Sequence, residues 1–182
     1  MYSITSIFET SDGKNSNDMW QELENHCEFA GLKKTTIPHF SWQTAESYQI
    51  DLLKAKLSQI SRNICPFKFQ TSGIGVFSNH RKVLFLIIVK TRKLMDLHEM
   101  IWRETIQLTE APNLSYSPEN WIPHISLNLN ELGDDQFICA VKELTKSPLR
   151  LEFEVKQIGL IYLTLHSSGI DSVYPLLGKD GQ

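Results

Sequence analysis

Two short stretches carry the residues best suited to chemistry. Pro38-His39-Phe40-Ser41-Trp42 recurs as Pro123-His124-Ile125-Ser126-Leu127, with the second histidine 85 residues after the first. Alternate residues of a β-strand share a face, so each stretch projects an imidazole and a hydroxyl together. Two such strands set side by side would gather two imidazoles and two hydroxyls. Cleavage or exchange of a phosphodiester needs that set. One imidazole takes a proton from the attacking oxygen and the other gives one to the leaving oxygen. Ordinary histidine pKa values of about 6.5 allow one ring to be neutral and the other charged near neutral pH. The hydroxyls donate to the non-bridging oxygens while phosphorus is pentacoordinate.

A lone His-x-Ser on a strand is weak evidence, because most such histidines are packed or surface residues. What strengthens it is a wider self-similarity. Phe67-Lys68-Phe69 answers Leu151-Glu152-Phe153, and Ile74-Gly75-Val76-Phe77 answers Ile158-Gly159-Leu160-Ile161, each pair 84 residues apart. We read two copies of one unit, residues 1–90 and 91–182, in a single domain with strand exchange between its lobes. The bland alternative is that the duplication keeps the tetrad only as the way into a strand, which would make His39 and His124 ordinary core residues.

The elements that position the tetrads follow from hydrophobic spacing. Leu53, Leu57, Ile60 and Ile64 form one helical stripe, and Phe137, Val141 and Leu144 form another; Pro66 and Pro148 mark their ends. Leu94, Leu97, Ile101, Thr105 and Leu108 mark a helix between the copies, matched before the first copy by Met19, Leu23, Cys27 and Ala30. Strands are expected over Tyr2–Phe8, Phe67–Phe77, Val83–Val89, Leu151–Leu165 and Val173–Leu177, with Asn113–Asn120 as a loop leading to the second histidine. Each half then reads strand–helix–strand–helix–strand–strand. The expected fold class is α+β: two pseudo-twofold-related lobes, each an antiparallel sheet with helices on its outer face, around a central cleft.

Composition narrows the function. The chain has 182 residues, 41% apolar and 21% charged, with a net charge of −3. That is a globular composition, and its longest apolar run, Val83–Val89, is too short to span a bilayer. No basic flank and apolar stretch open the chain, so no secretion signal is expected. Basic residues cluster in pairs at most (Lys33-Lys34, Arg81-Lys82, Arg92-Lys93), which suits a small nucleotide or an RNA end better than an extended duplex. Three scattered cysteines, Cys27, Cys65 and Cys139, suggest reduced thiols in a cytoplasm. No HExxH, CxxC, P-loop or GxGxxG occurs, so neither a metal nor another cofactor is expected. His26, His80, His98 and His166 read as surface residues, and Gly73 and Gly75 as a strand kink.

Paired His-x-Ser strands on duplicated α+β halves resemble the two-histidine (2H) phosphoesterase superfamily, in its RNA 2′,5′-ligase-like (LigT-like) and cyclic phosphodiesterase branch. Trp121-Ile122-Pro123-His124-Ile125-Ser126-Leu127 is its most typical stretch. The resemblance implies a V-shaped cleft and metal-independent chemistry on 2′,3′-cyclic phosphates, 2′,5′-linked nucleotides or RNA ends. By position, His39 and His124 would be the acid–base pair, with His124 activating water, and Ser41 and Ser126 the phosphate binders. Base stacking would fall to Tyr116 or Trp121, whereas Trp42, of opposite parity to His39, should face away. Lys33, Lys34 and Lys68 are candidate phosphate neighbours or plain surface. The expected partner is a nucleotide or RNA-end substrate, with no membrane and a monomeric chain. A nucleotide-binding module without turnover, an RNA 2′,5′-ligase acting on RNA halves and a purely structural domain are the alternatives.

Overall fold

The computed structural model describes residues 1–8, 23–27, 39–78, 82–127, 132–164 and 167–179. Pro38, Met19, Ala30, the 31–37 rim with Lys33 and Lys34, His80, Arg81 and His166 lie outside the described residues. The strands are β1 (Tyr2–Ile7), β2 (His39–Tyr48), β3 (Phe67–Phe77), β4 (Val83–Ile88), β5 (Thr109–Pro112), β6 (His124–Ser126), β7 (Glu152–Val155), β8 (Gln157–Leu163) and β9 (Ser168–Pro175). The helices are α1 (23–27), α2 (Ile50–Asn63), α3 (Arg92–Thr105) and α4 (Asp134–Leu144).

The strands form two antiparallel sheets, in the orders β5-β2-β1-β8-β9 and β6-β4-β3-β7. One arrangement appears in both. A histidine strand (β2 or β6) pairs with β1 or β4, which pairs in turn with the strand that carries a matched Ile-Gly pair, β8 or β3. The pseudo-twofold relation shows where β3 meets β7. There Phe69 pairs with Phe153, its own counterpart in the sequence match, and their rings stack at 5.3 Å. The α+β architecture with two related lobes is therefore present.

The 151–165 run differs from its expectation as one strand. It divides at Lys156 into β7, which joins the second sheet, and β8, which joins the first. Alternating burial changes phase at the break, from Phe153 and Val155 before it to Ile158 and Leu160 after it, a step of three where one strand would give two. That phase slip is the trace the crossing leaves in the chain's hydropathy. β5 is a further strand that the spacing did not reveal, since its side chains are exposed or half-buried.

The helical stripes pack as amphipathic spacing requires. Leu53, Leu57 and Ile60 of α2 are buried, and the chain turns extended at Ile64 ahead of Pro66. Thr91 caps α3 by accepting from Leu94 N at 3.2 Å. The buried face of α3 is Leu94, His98, Ile101 and Thr105, so the central position expected for Leu97 belongs to a histidine.

The thiol expectation fails. Cys27 and Cys139 form a disulfide that ties α1 to α4, while Cys65 stands outside it. Their 112-residue separation gave no cue, yet folding brings the Cα atoms to 5.5 Å, an ordinary bridging distance. With this bond the cysteines no longer argue for a reducing compartment. No helix among the described residues is long and apolar enough to cross a membrane.

Candidate active site

The two histidine strands present their cleft faces to one pocket. His39 lies opposite Ile7 of β1, and Ser41 opposite Thr5; His124 lies opposite Ile87 of β4, and Ser126 opposite Phe85. All four tetrad side chains are half-buried, and all four residues line the same cavity of about 300 Å³. That volume sits at the lower end of the range for small-molecule sites.

The His124 imidazole is held by one carbonyl and two aromatic rings. His124 Nδ1 lies 2.6 Å from the Ile122 carbonyl, an oxygen that only accepts, so this nitrogen carries the proton and the neutral ring keeps its lone pair on Nε2. The rings of Phe77 (4.9 Å, edge-on) and Phe85 (5.1 Å, tilted) flank it. Burial pushes its pKa below the usual histidine value, against a smaller opposing effect of the Ile122 hydrogen bond.

Around Ser41 the sequence missed a hydroxyl network. Ser3 Oγ donates to Ser41 Oγ at 2.8 Å and lies 3.2 Å from Thr44 Oγ1. The Tyr116 hydroxyl reaches Thr44 and Ser41, and burial raises its pKa so that it stays protonated. Ser3 and Tyr116 thus hold the Ser41 hydroxyl at the pocket wall. Ser3 and Thr44 also line the pocket, as does Asn113. Ser3 carries no motif and reaches Ser41 only through the β1–β2 pairing, so spacing along the chain could not have found it. Plain alternation along β2 would turn Thr44 away with Trp42; the bulge between the Ile4 and Thr5 pairings brings it back to the face of Ser41.

Trp121 departs from its expectation as a base platform. It is 1% exposed, stacks on His98 (3.8 Å, 7°) and on Trp42 (5.4 Å, 24°), and donates its indole N–H to the Ser41 carbonyl at 3.0 Å. Tyr116 does line the pocket. Trp42 faces away from it, buried, with its indole on Ser6 Oγ at 2.8 Å. Lys68 pairs with Glu152 at the surface and is no pocket residue. His26 is exposed, 3.9 Å from Glu143.

His98 corrects its surface assignment. It is wholly buried, and its Nε2 donates between the carbonyls of Trp42 (3.1 Å) and Tyr116 (3.0 Å), linking β2 to the pocket loop. Its Nδ1 is buried with no partner, and burial lowers its pKa to about 4. The folded value lies below the unfolded one of about 6.5, so the unfolded chain binds the extra proton first. The contribution of this group is present above pH 6.5 and is lost as pH falls toward 4, by about 3 kcal/mol in all. Urea unfolding at pH 7, 5.5 and 4 should therefore show a steeper fall for the native chain than for His98→Gln. Parallel curves would refute this assignment.

Comparisons with known proteins give the chain's family and its fold. The family model described as the 2′-5′ RNA ligase superfamily matches residues 14–166. Among solved structures, TT0787 of Thermus thermophilus superposes with a TM-score of 0.63 at 16% identity, covering 99% of this chain and 100% of its own. E. coli LigT complexed with 3′-AMP gives 0.61 at 12%, covering 96% and 97%. A structure described only as a phosphoesterase gives 0.61 at 14%, with the same coverage. At these identities the likeness is one of fold. No match was found among curated proteins.

Proposed function

Because this chain belongs to the 2′-5′ RNA ligase superfamily, the LigT-like branch of the two-histidine phosphoesterases, we propose that it hydrolyses a 2′,3′-cyclic phosphate or a 2′,5′ phosphodiester on a nucleotide or RNA end. The observation that carries the proposal is the meeting of His39, Ser41, His124 and Ser126 at one cavity of about 300 Å³. A cavity of that size suits a nucleotide or a strand end.

In ring opening, neutral His124 takes a proton from water as the water oxygen attacks phosphorus. His39 then delivers a proton to the ribose oxygen as its bond to phosphorus breaks. The proton-bearing Nδ1 of His124 favours this direction, since it leaves Nε2 as the acceptor. The Ser41 and Ser126 hydroxyls hold the non-bridging oxygens, Ser41 with its lone pair engaged by Ser3. Both proton transfers fall to protein side chains, so no metal is needed in this scheme. Residues 1–182 act together on this reading, as one duplicated domain and a monomer.

The test offers purified protein, in excess chelator, 2′,3′-cyclic mononucleotides and 2′,5′-linked adenylates. Turnover that survives the chelator is expected. Turnover that appears only with added divalent ions would overturn the metal-free step. Mononucleotide binding without turnover of either class would favour the binding-module alternative.

A further inference from the structure

The two sheets place their histidines on matching frameworks but line those frameworks differently. Thr5 pairs with Ser41 on one side and Gly159 on the other. Phe85 pairs with Ser126 on one side and Gly75 on the other. Thr5 and Phe85 therefore occupy the same place, each between a tetrad serine and the glycine of an Ile-Gly pair. On the His39 side this place holds a small hydroxyl residue, buried, with Oγ1 on the Gly159 carbonyl at 3.2 Å. On the His124 side it holds a phenyl ring.

Gly75 makes room for that ring. A methyl group built on Gly75 would stand 2.4 Å from Phe85 Cζ and 2.5 Å from Cε2, so the ring lies directly over the bare backbone. Gly75 is thus a site of close approach, beyond the strand kink expected of it. Phe77, two residues on, stacks against the outer face of Phe85 at 4.2 Å, and both rings contact His124.

We propose that Gly75, Phe77 and Phe85 form a cage that keeps His124 in its neutral, proton-accepting form, which makes Phe85 a positioning residue for the reaction. The cage replaces water beside the imidazole with hydrocarbon, which penalises the charged ring. The lowered pKa of His124, caused first by burial, agrees with this. The groups facing His124 are Phe77 from β3, Phe85 and Ile87 from β4, the Ile122 carbonyl, and Ser126 on its own strand; the titratable residues that share its pocket are His39, Tyr2, Tyr116 and Tyr162, with Met1 and its amino group. The duplicated framework thereby carries Thr5 at one copy of this place and Phe85 at the other, and the Phe85 copy is the one beside the proton-accepting ring.

The inference rests on His124 as the proton acceptor of the proposed reaction, yet it can be tested apart from turnover. The pH titration of His124 is followed by NMR in the native protein, in Phe85→Thr and in Phe77→Ser. Phe85→Thr copies the residue of the other half. Phe77→Ser alters a half-buried position and guards against a Phe85 variant that fails to fold. In the native protein His124 should titrate below 6.5. Either substitution should raise its pKa by ~0.5 unit or more, about a threefold change in proton affinity, and move the acid limb of kcat/KM upward by the same amount. An unchanged titration in every folded variant overturns the cage. A raised titration without turnover of the phosphodiesters would support the cage and remove the proposed reaction instead.

Discussion

Replacing His39 or His124 by alanine should lower kcat/KM for a 2′,3′-cyclic nucleotide by ~10²–10⁴, with KM little changed. Each ring is assigned one proton transfer in the transition state, and transfers of this kind contribute about that factor. An interaction made only in the transition state appears in kcat. The double variant should fall little further than either single one, because one imidazole without its partner completes only half of the exchange. Both residues are half-buried and line the pocket, so the variants should still fold, with His124→Ala, which loses its contacts to Phe77 and Phe85, the more destabilised in urea. Full activity in either single variant would dismiss the acid–base pair.

Trp121→Ala should cost ~3–5 kcal/mol of stability, the usual range for removing a fully buried aromatic side chain. The indole fills the space between His98 and Trp42, and its N–H satisfies the Ser41 carbonyl. Truncation leaves a cavity and an unpaired acceptor at the strand that carries the phosphate-binding hydroxyl. The urea midpoint should therefore drop sharply, and Trp121→Phe should recover only part of the loss, since it restores ring packing without the donor. A base platform would behave differently, with unfolding within ~0.5 kcal/mol of native and a raised KM. The two outcomes separate the buried role from the role that the sequence suggested.

How much of this was legible beforehand depends on whether the signal was local. The two tetrads, their strand parity and the stripe Leu53-Leu57-Ile60 are periodic in the chain, and a period of two or 3.6 becomes a face without reference to anything distant. The Ile-Gly match 84 residues apart was visible for the same reason, though its meaning was not: Gly75 became intelligible only once the ring of Phe85 was found above it. His98 and Trp121 were misplaced because an aromatic or imidazole ring reads alike at a surface and in a core until its neighbours are known.

The sequence by itself determined the repeated histidine strands, the α+β class and the residues with the right chemistry. Tertiary structure alone decided which residues those side chains meet: Ser3 on Ser41 through the β1–β2 pairing, Phe77 and Phe85 on His124 through β3 and β4, Cys27 on Cys139 across 112 residues. The physical reason is that backbone periodicity is set by local sterics, whereas the protonation and orientation of a side chain are set by the groups that replace water around it. Those groups arrive from other strands, and nothing in the spacing of one strand encodes them.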